Sequence, residues 1–140
     1  MRNFTKAIEL TFERTIPAPA EEVFDAWLDP KIPGNPWNAA ERLILKPEVD
    51  ALFYWMIRET AHYGRFTELT RPSRIAHTWV SPNTAGEESM VSVTFRPAGK
   101  NTVMTLVHSN LPDTPPAHTH EKGWASFLDV FAKLFSEKTK

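Results

Sequence analysis

Cysteine is absent from the chain, which excludes a disulfide framework, a thiolate nucleophile and any Cys-ligated metal. Neither sign of charge dominates, since 16 Lys and Arg stand against 17 Asp and Glu for a formal net charge of -1. The basic residues are scattered, and without a Lys/Arg run to track a phosphate backbone no nucleic-acid partner is expected. Long apolar runs are also missing, and none approaches a membrane span. Met1 to Lys6 carries no apolar signal-peptide core, so a cytoplasmic protein without membrane insertion is expected. With only 5 glycines, the chain forms no phosphate-cradling loop and no nucleophile elbow. No internal repeat or low-complexity tract occurs.

The 140 residues that are present fit one domain, 1–140, with a single core. Thr114 to Phe135 reads as one closing helix. Thr114 caps it, Pro115 and Pro116 suit a first turn that has no amide partners to lose, and Glu121 lies early. Trp124, Phe127, Leu128, Phe131, Leu134 and Phe135 recur at three- and four-residue spacing on one face, with Asp129, Lys133 and Glu137 opposite. Burying roughly five such side chains at about 1.5–3 kcal/mol each is comparable to the whole net stability of a small domain.

Upstream, Ile8, Leu10 and Phe12 alternate with Glu9, Thr11 and Glu13 as a strand with one wet face. A helix follows from near Pro19, with Glu21 and Glu22 in its first turn and Val23, Phe24, Trp27 and Leu28 as its apolar stripe. Asp29-Pro30 ends it. Pro33, Gly34 and Pro36 make Lys31 to Asn38 a loop or one short turn around Trp37. Strands are then expected at Leu43 to Leu45, Leu52 to Arg58, His62 to Leu69, Ile75 to Val80, Val91 to Phe95 and Thr102 to Asn110, joined by short turns. Adjacent strands with short connections pair antiparallel, and a twisted sheet of about six or seven strands curls until its apolar face needs a cover. The fold class is therefore α+β, a helix-grip in which a curved antiparallel sheet wraps the long C-terminal helix, with one or two short helices after the first strand.

Several stretches carry a family resemblance. Ile16-Pro17-Ala18-Pro19 leading into Val23-Phe24-Asp25-Ala26-Trp27 and Asp29-Pro30, then Gly64-Arg65-Phe66-Thr67-Glu68-Leu69, Pro72-Ser73-Arg74-Ile75, Thr78-Trp79 and Gly123-Trp124 resemble the SRPBCC superfamily, in particular its branch of Hsp90 ATPase activator homologues. Val91 to Phe95 and Thr102 to His108 agree with it, and the match runs from about Phe12 to Phe135. Two places depart from it: Asp50-Ala51 replaces the paired glycines usual before the third strand, and Pro33-Gly34 breaks the usual short second helix. The resemblance implies a cavity for an apolar or amphipathic small molecule. Its members include lipid carriers and aromatic polyketide cyclases, so the fold does not choose among activities.

Trp27, Trp37, Trp55, Trp79 and Trp124 serve either as core packing or as the wall of such a cavity. Strand parity places Phe53 with Trp55 and Ile57 on one face, Phe66 with Glu68, His77 with Trp79, and Leu106 with His108. With Val93, Phe95, Phe127, Leu128 and Phe131, these faces are the candidate ligand-binding wall. His77 and His108 either satisfy core hydrogen bonds or orient the polar end of a ligand. Glu68 on an inner face would need a partner, for which Arg58 and Arg74 are the candidates, and otherwise it sits at a solvated rim. His118 and His120 fall about 200° apart on a helix, too far round to chelate one ion. No metal and no cofactor are expected, and no catalytic residue is assigned.

Three functions remain open. The first is a binder of a small hydrophobic molecule. The second is a cyclase or hydrolase working by general acid/base chemistry on an aromatic or polyketide-like substrate. The third is a co-chaperone or stress-response interaction module. A homodimer is compatible with each.

Overall fold

The computed structural model describes residues 7–138, and Met1 to Lys6, read above for a signal sequence, lie outside the described residues. The elements in chain order are β1 (Ala7–Ile16), α1 (Ala20–Trp27), β2 (Arg42–Ile44), β3 (Leu52–Ile57), β4 (Thr60–Thr70), β5 (Arg74–Trp79), β6 (Ser89–Ala98), β7 (Asn101–Pro112) and α2 (Pro115–Lys138). The strands form one 7-stranded sheet in the order β1-β7-β6-β5-β4-β3-β2. Every neighbouring pair is antiparallel, and the sheet is curved and open, with α2 gripped in its hollow. Consecutive hairpins build six of the strands. The crossover from β1 through α1 carries the chain to β2 at the opposite edge, so that β1 is left to pair with β7, Phe12 opposite Leu106.

The α2 helix forms where its apolar spacing ran. Thr114 Oγ1 accepts the Ala117 N–H at 3.4 Å, and Trp124, Leu128, Phe131 and Phe135 are all buried. Aromatic edges link α2 to α1 and α1 to the sheet. Phe131 meets Trp27 of α1 at 5.2 Å between ring centroids, and Phe24 meets Phe95 of β6 at 5.4 Å.

Two glycines allow close approach. Gly64 of β4 lies opposite Phe53 of β3, and any Cβ there would collide with that ring and with the Thr78 carbonyl. Gly34, at φ 99°, sits directly against the backbone of Phe131 in mid-α2. The segment between α1 and β2 thus runs as turns tucked beneath the helix. The buried Asn35 ties it down by donating to the Ala26 and Asp29 carbonyls, both at 2.8 Å. Asp50, at the position of the expected glycine pair, takes φ 73°, a left-handed conformation that Asp tolerates better than most residues. Between β5 and β6, Ser81 to Gly86 contains a short 3-10 turn at Pro82–Thr84, closed by reciprocal side-chain caps from Ser81 and Thr84.

Candidate functional site

The hollow of the sheet is filled over most of its length. Trp37, Phe53, Phe66 and His77 pack ring against ring, with Trp37 to Phe53 at 5.0 Å, Phe53 to Phe66 at 5.7 Å and Phe53 to His77 at 5.1 Å. Trp27, Val93, Phe95, Leu106, Leu128 and Phe131 are closed off with them. These side chains belong to a packed interior.

Space opens at one end, where the start of α2 diverges from β3, β4 and β5. There a groove of about 490 Å³ is lined by Trp55, Trp79, Trp124 and Phe127, a volume within the range of small-molecule sites. Four of the candidate wall residues therefore meet at one opening. His62, His120, Arg58, Lys122 and Gly123 complete its rim and flanks, together with the hydroxyls of Thr60, Thr119 and Ser126 and the Asn83 side chain.

Behind this floor runs a set of committed hydrogen bonds. Trp124 Nε1–H donates to His108 Nδ1 at 2.9 Å, and His108 Nε2 lies 2.7 Å from Ser89 Oγ, which donates to the Trp79 carbonyl at 2.6 Å. Only the Nε2–H tautomer of His108 satisfies all three contacts. Trp79 Nε1–H donates to His120 Nε2 at 3.2 Å, and His120 Nδ1 lies 2.8 Å from the Ala117 carbonyl, so His120 is the Nδ1–H tautomer. Trp55 Nε1–H donates to the Pro36 carbonyl. The three indoles line the groove while remaining 2–3% exposed, with each N–H already spent.

The buried imidazoles are neutral. Burial, disfavouring the charged form, brings His62 and His77 from the ordinary 6.5 down to about 4. His108 goes to about 2, with His120, His77 and His62 adding like-charge repulsion. His120 is lowered by the same burial, opposed by the Ala117 carbonyl. His62 meets Trp55 edge-on at 4.2 Å between ring centroids, and its buried Nδ1 has no hydrogen-bond partner. The Trp55 and Thr60 carbonyls lie near enough to oppose its shift but not in hydrogen-bonding geometry with Nδ1.

Glu68 stands apart from the wall. The pairing of β4 with β5 shifts register between Phe66 and Glu68, which breaks the alternation and turns the carboxylate outward, where it accepts from Arg74 Nε at 2.9 Å. On α2, His118 faces out toward Asp113 at 2.8 Å while His120 points in, the divergence that their spacing requires. No cluster of His, Asp and Glu suited to a metal ion occurs among the described residues. No described helix is long and apolar enough to cross a membrane.

Sequence reasoning passed over His62, although the signal was present. His62 alternates in step with Gly64 and Phe66, and all three are buried. Arg58 and Lys122 offered no such signal, because an exposed cation at a turn or on a helix looks the same beside a groove as beside solvent.

Among curated proteins no match to this chain is found. Solved structures share the fold. A protein from Chromobacterium violaceum is 23% identical, with a TM-score of 0.74 over 91% of this chain and 96% of the other. An Hsp90 activator from Plasmodium falciparum is 23% identical, with a TM-score of 0.69 over 88% and 91%. The Aha1 dimer from Colwellia psychrerythraea is 14% identical, with a TM-score of 0.72 over 91% and 96%. At these identities the likeness speaks for the fold alone. The family model described as "Activator of Hsp90 ATPase homolog 1-like protein" matches residues 17–136, and the chain belongs to that family.

Proposed function

We propose that the groove between β3, β4, β5 and the start of α2 binds a small amphipathic molecule. One observation carries this reading: a space of about 490 Å³ is lined by Trp55, Trp79, Trp124 and Phe127, an opening of small-molecule size with aromatic walls. Gly123 supports it. Glycine inside a helix costs about 0.5–1 kcal/mol relative to alanine, and a Cβ at Gly123 would meet nothing within 4 Å. The protein itself therefore gives no steric reason for the missing side chain, whereas an occupant of the groove does. The test is fluorescence titration with the uncharged dye phenylnaphthylamine. Wild type is expected to bind it, and Gly123→Trp, which fills the groove from an unstrained helical position, to weaken binding at least tenfold without lowering the melting temperature. Equal binding by the two proteins would remove the groove as the site.

A second reading, protein docking, also has an observation in its favour. On the convex face Ile44, Leu52 and Tyr63 are 65%, 61% and 51% exposed. Tyr54 pairs with Ile44 on one side and Tyr63 on the other. The patch is of the kind that marks interaction surfaces, and the family description points to an Hsp90-type chaperone as the occupant. Leu52→Asp should then abolish stimulation of the chaperone's ATPase. Unchanged stimulation would sink this reading, and self-association lost in Leu52→Asp would assign the patch to a second copy instead.

A further inference from the structure

We infer that the occupant of the groove is an aromatic anion, a flat apolar body bearing a carboxylate, sulfonate or similar acidic group held by Arg58 and Lys122. This rests on the small-molecule reading above and narrows it to one chemical class.

The first ground is what the groove offers. Its aromatic floor has no free donor, because the N–H groups of Trp55, Trp79 and Trp124 are committed to Pro36, His120 and His108. Both nitrogens of His120 are likewise engaged. His62 also lines the groove and keeps an unpartnered Nδ1, but as a neutral ring it does not select by charge, so that discrimination comes from the rim, where the lining includes two cations and no carboxylate. Arg14, Arg71 and Arg74 are paired with Asp129, Asp25 and Glu68 at 2.9, 2.8 and 2.9 Å, whereas Arg42, Arg65 and Arg96, like Arg58, have no ion pair among the described residues, and of these four only Arg58 lines the groove. Among the described residues neither Arg58 nor Lys122 has an ion pair. Glu41 lies close to Arg58, but its carboxylate accepts the Arg58 backbone N–H at 2.6 Å and does not line the groove.

The second ground is the turn that presents Arg58. Ile57 pairs with Thr60, leaving Arg58 and Glu59 as a two-residue hairpin loop, with φ of 50° and 64°. A turn with both central residues left-handed is the type I′ turn, for which Asn-Gly is strongly preferred because a Cβ is disfavoured there. Arginine has no conformational advantage at this position. What it adds is a planar, permanently charged donor array at the groove mouth, suited to two-point recognition of an acidic group. Lys122 reaches the same opening from α2, one residue before Gly123.

The experiment compares phenylnaphthylamine with its sulfonated derivative, anilinonaphthalene sulfonate, two dyes with the same aromatic body. They are titrated into wild type and into Arg58→Asn/Lys122→Gln, a variant whose Asn suits the left-handed turn and so keeps the hairpin. The ratio of the two dissociation constants should move about tenfold or more against the sulfonate in the variant. The uncharged dye should change by less than about twofold. Raising salt should weaken only the sulfonate, and only in wild type. An unchanged ratio with the uncharged dye still bound would overturn the anion assignment and leave the groove reading standing. Failure of both dyes to bind wild type, or binding of both that Gly123→Trp does not touch, would overturn the groove reading itself.

Discussion

Acid should unfold this protein earlier than its carboxylates require, and the buried imidazoles set the size of the effect. His77 and His108 are 1% and 0% exposed and His62 is 5% exposed, and their folded-state values lie at about 4, about 2 and about 4 against 6.5 when unfolded. A group depressed in the folded state binds more protons when unfolded, so its stabilisation is complete above 6.5 and is lost as pH falls toward the folded value. Between pH 7 and pH 5 each ring then forfeits about 2 kcal/mol, and the three together about 6 kcal/mol, a large share of a typical domain stability of about 5–15 kcal/mol. Asp25, held below its ordinary 3.8 chiefly by the hydrogen bond from Arg71, loses its contribution only at lower pH and does not confuse this window. Urea unfolding at half-unit steps from pH 7.5 to 4.5 measures the slope, and His77→Phe, which keeps a ring among Trp37, Phe53, Phe66 and Trp79, should reduce it by about one proton. Stability that stays level from pH 7 to pH 5 would mean that these rings are not enclosed and neutral.

Two glycines, one packed against α2 and one within it, should respond in opposite directions. Gly34→Ala forces a Cβ at φ 99° into the backbone of Phe131, and a loss of about 3 kcal/mol or more, roughly 10 °C in melting temperature, is expected by calorimetry. Gly123→Ala meets open space in a regular helix, so the same measurement should rise by about 0.5–1 kcal/mol, or about 2 °C.

Much of the architecture was legible because it follows from local periodicity. The three- and four-residue spacing of Trp124, Leu128, Phe131 and Phe135 specified a helix, and it exists with those residues buried. The strands lie where they were read, some shifted or shortened by a residue, as at β5, Arg74–Trp79, and others a few residues longer, as at β6, Ser89–Ala98. Parity failed where it assumed an unbroken ladder. The shift between Phe66 and Glu68 moved a carboxylate from the expected inner wall to the surface, and such a bulge depends on what the neighbouring strand pairs with. Parity would have succeeded at His62, whose place in step with Gly64 and Phe66 was there to read.

The tryptophans divide what was local from what was not. All five look alike in sequence, as large apolar residues on apolar faces, yet Trp27 and Trp37 are sealed by Phe131 and Phe53 while Trp55, Trp79 and Trp124 border open space. By itself the order of residues determined which segments coil, which extend and which face of each is apolar, since those properties are set by neighbours a few positions away. Only the tertiary structure decided where the hollow is filled and where it gapes. A void is the volume left over when side chains from distant strands and a helix are brought together, and no single stretch of chain contains that difference.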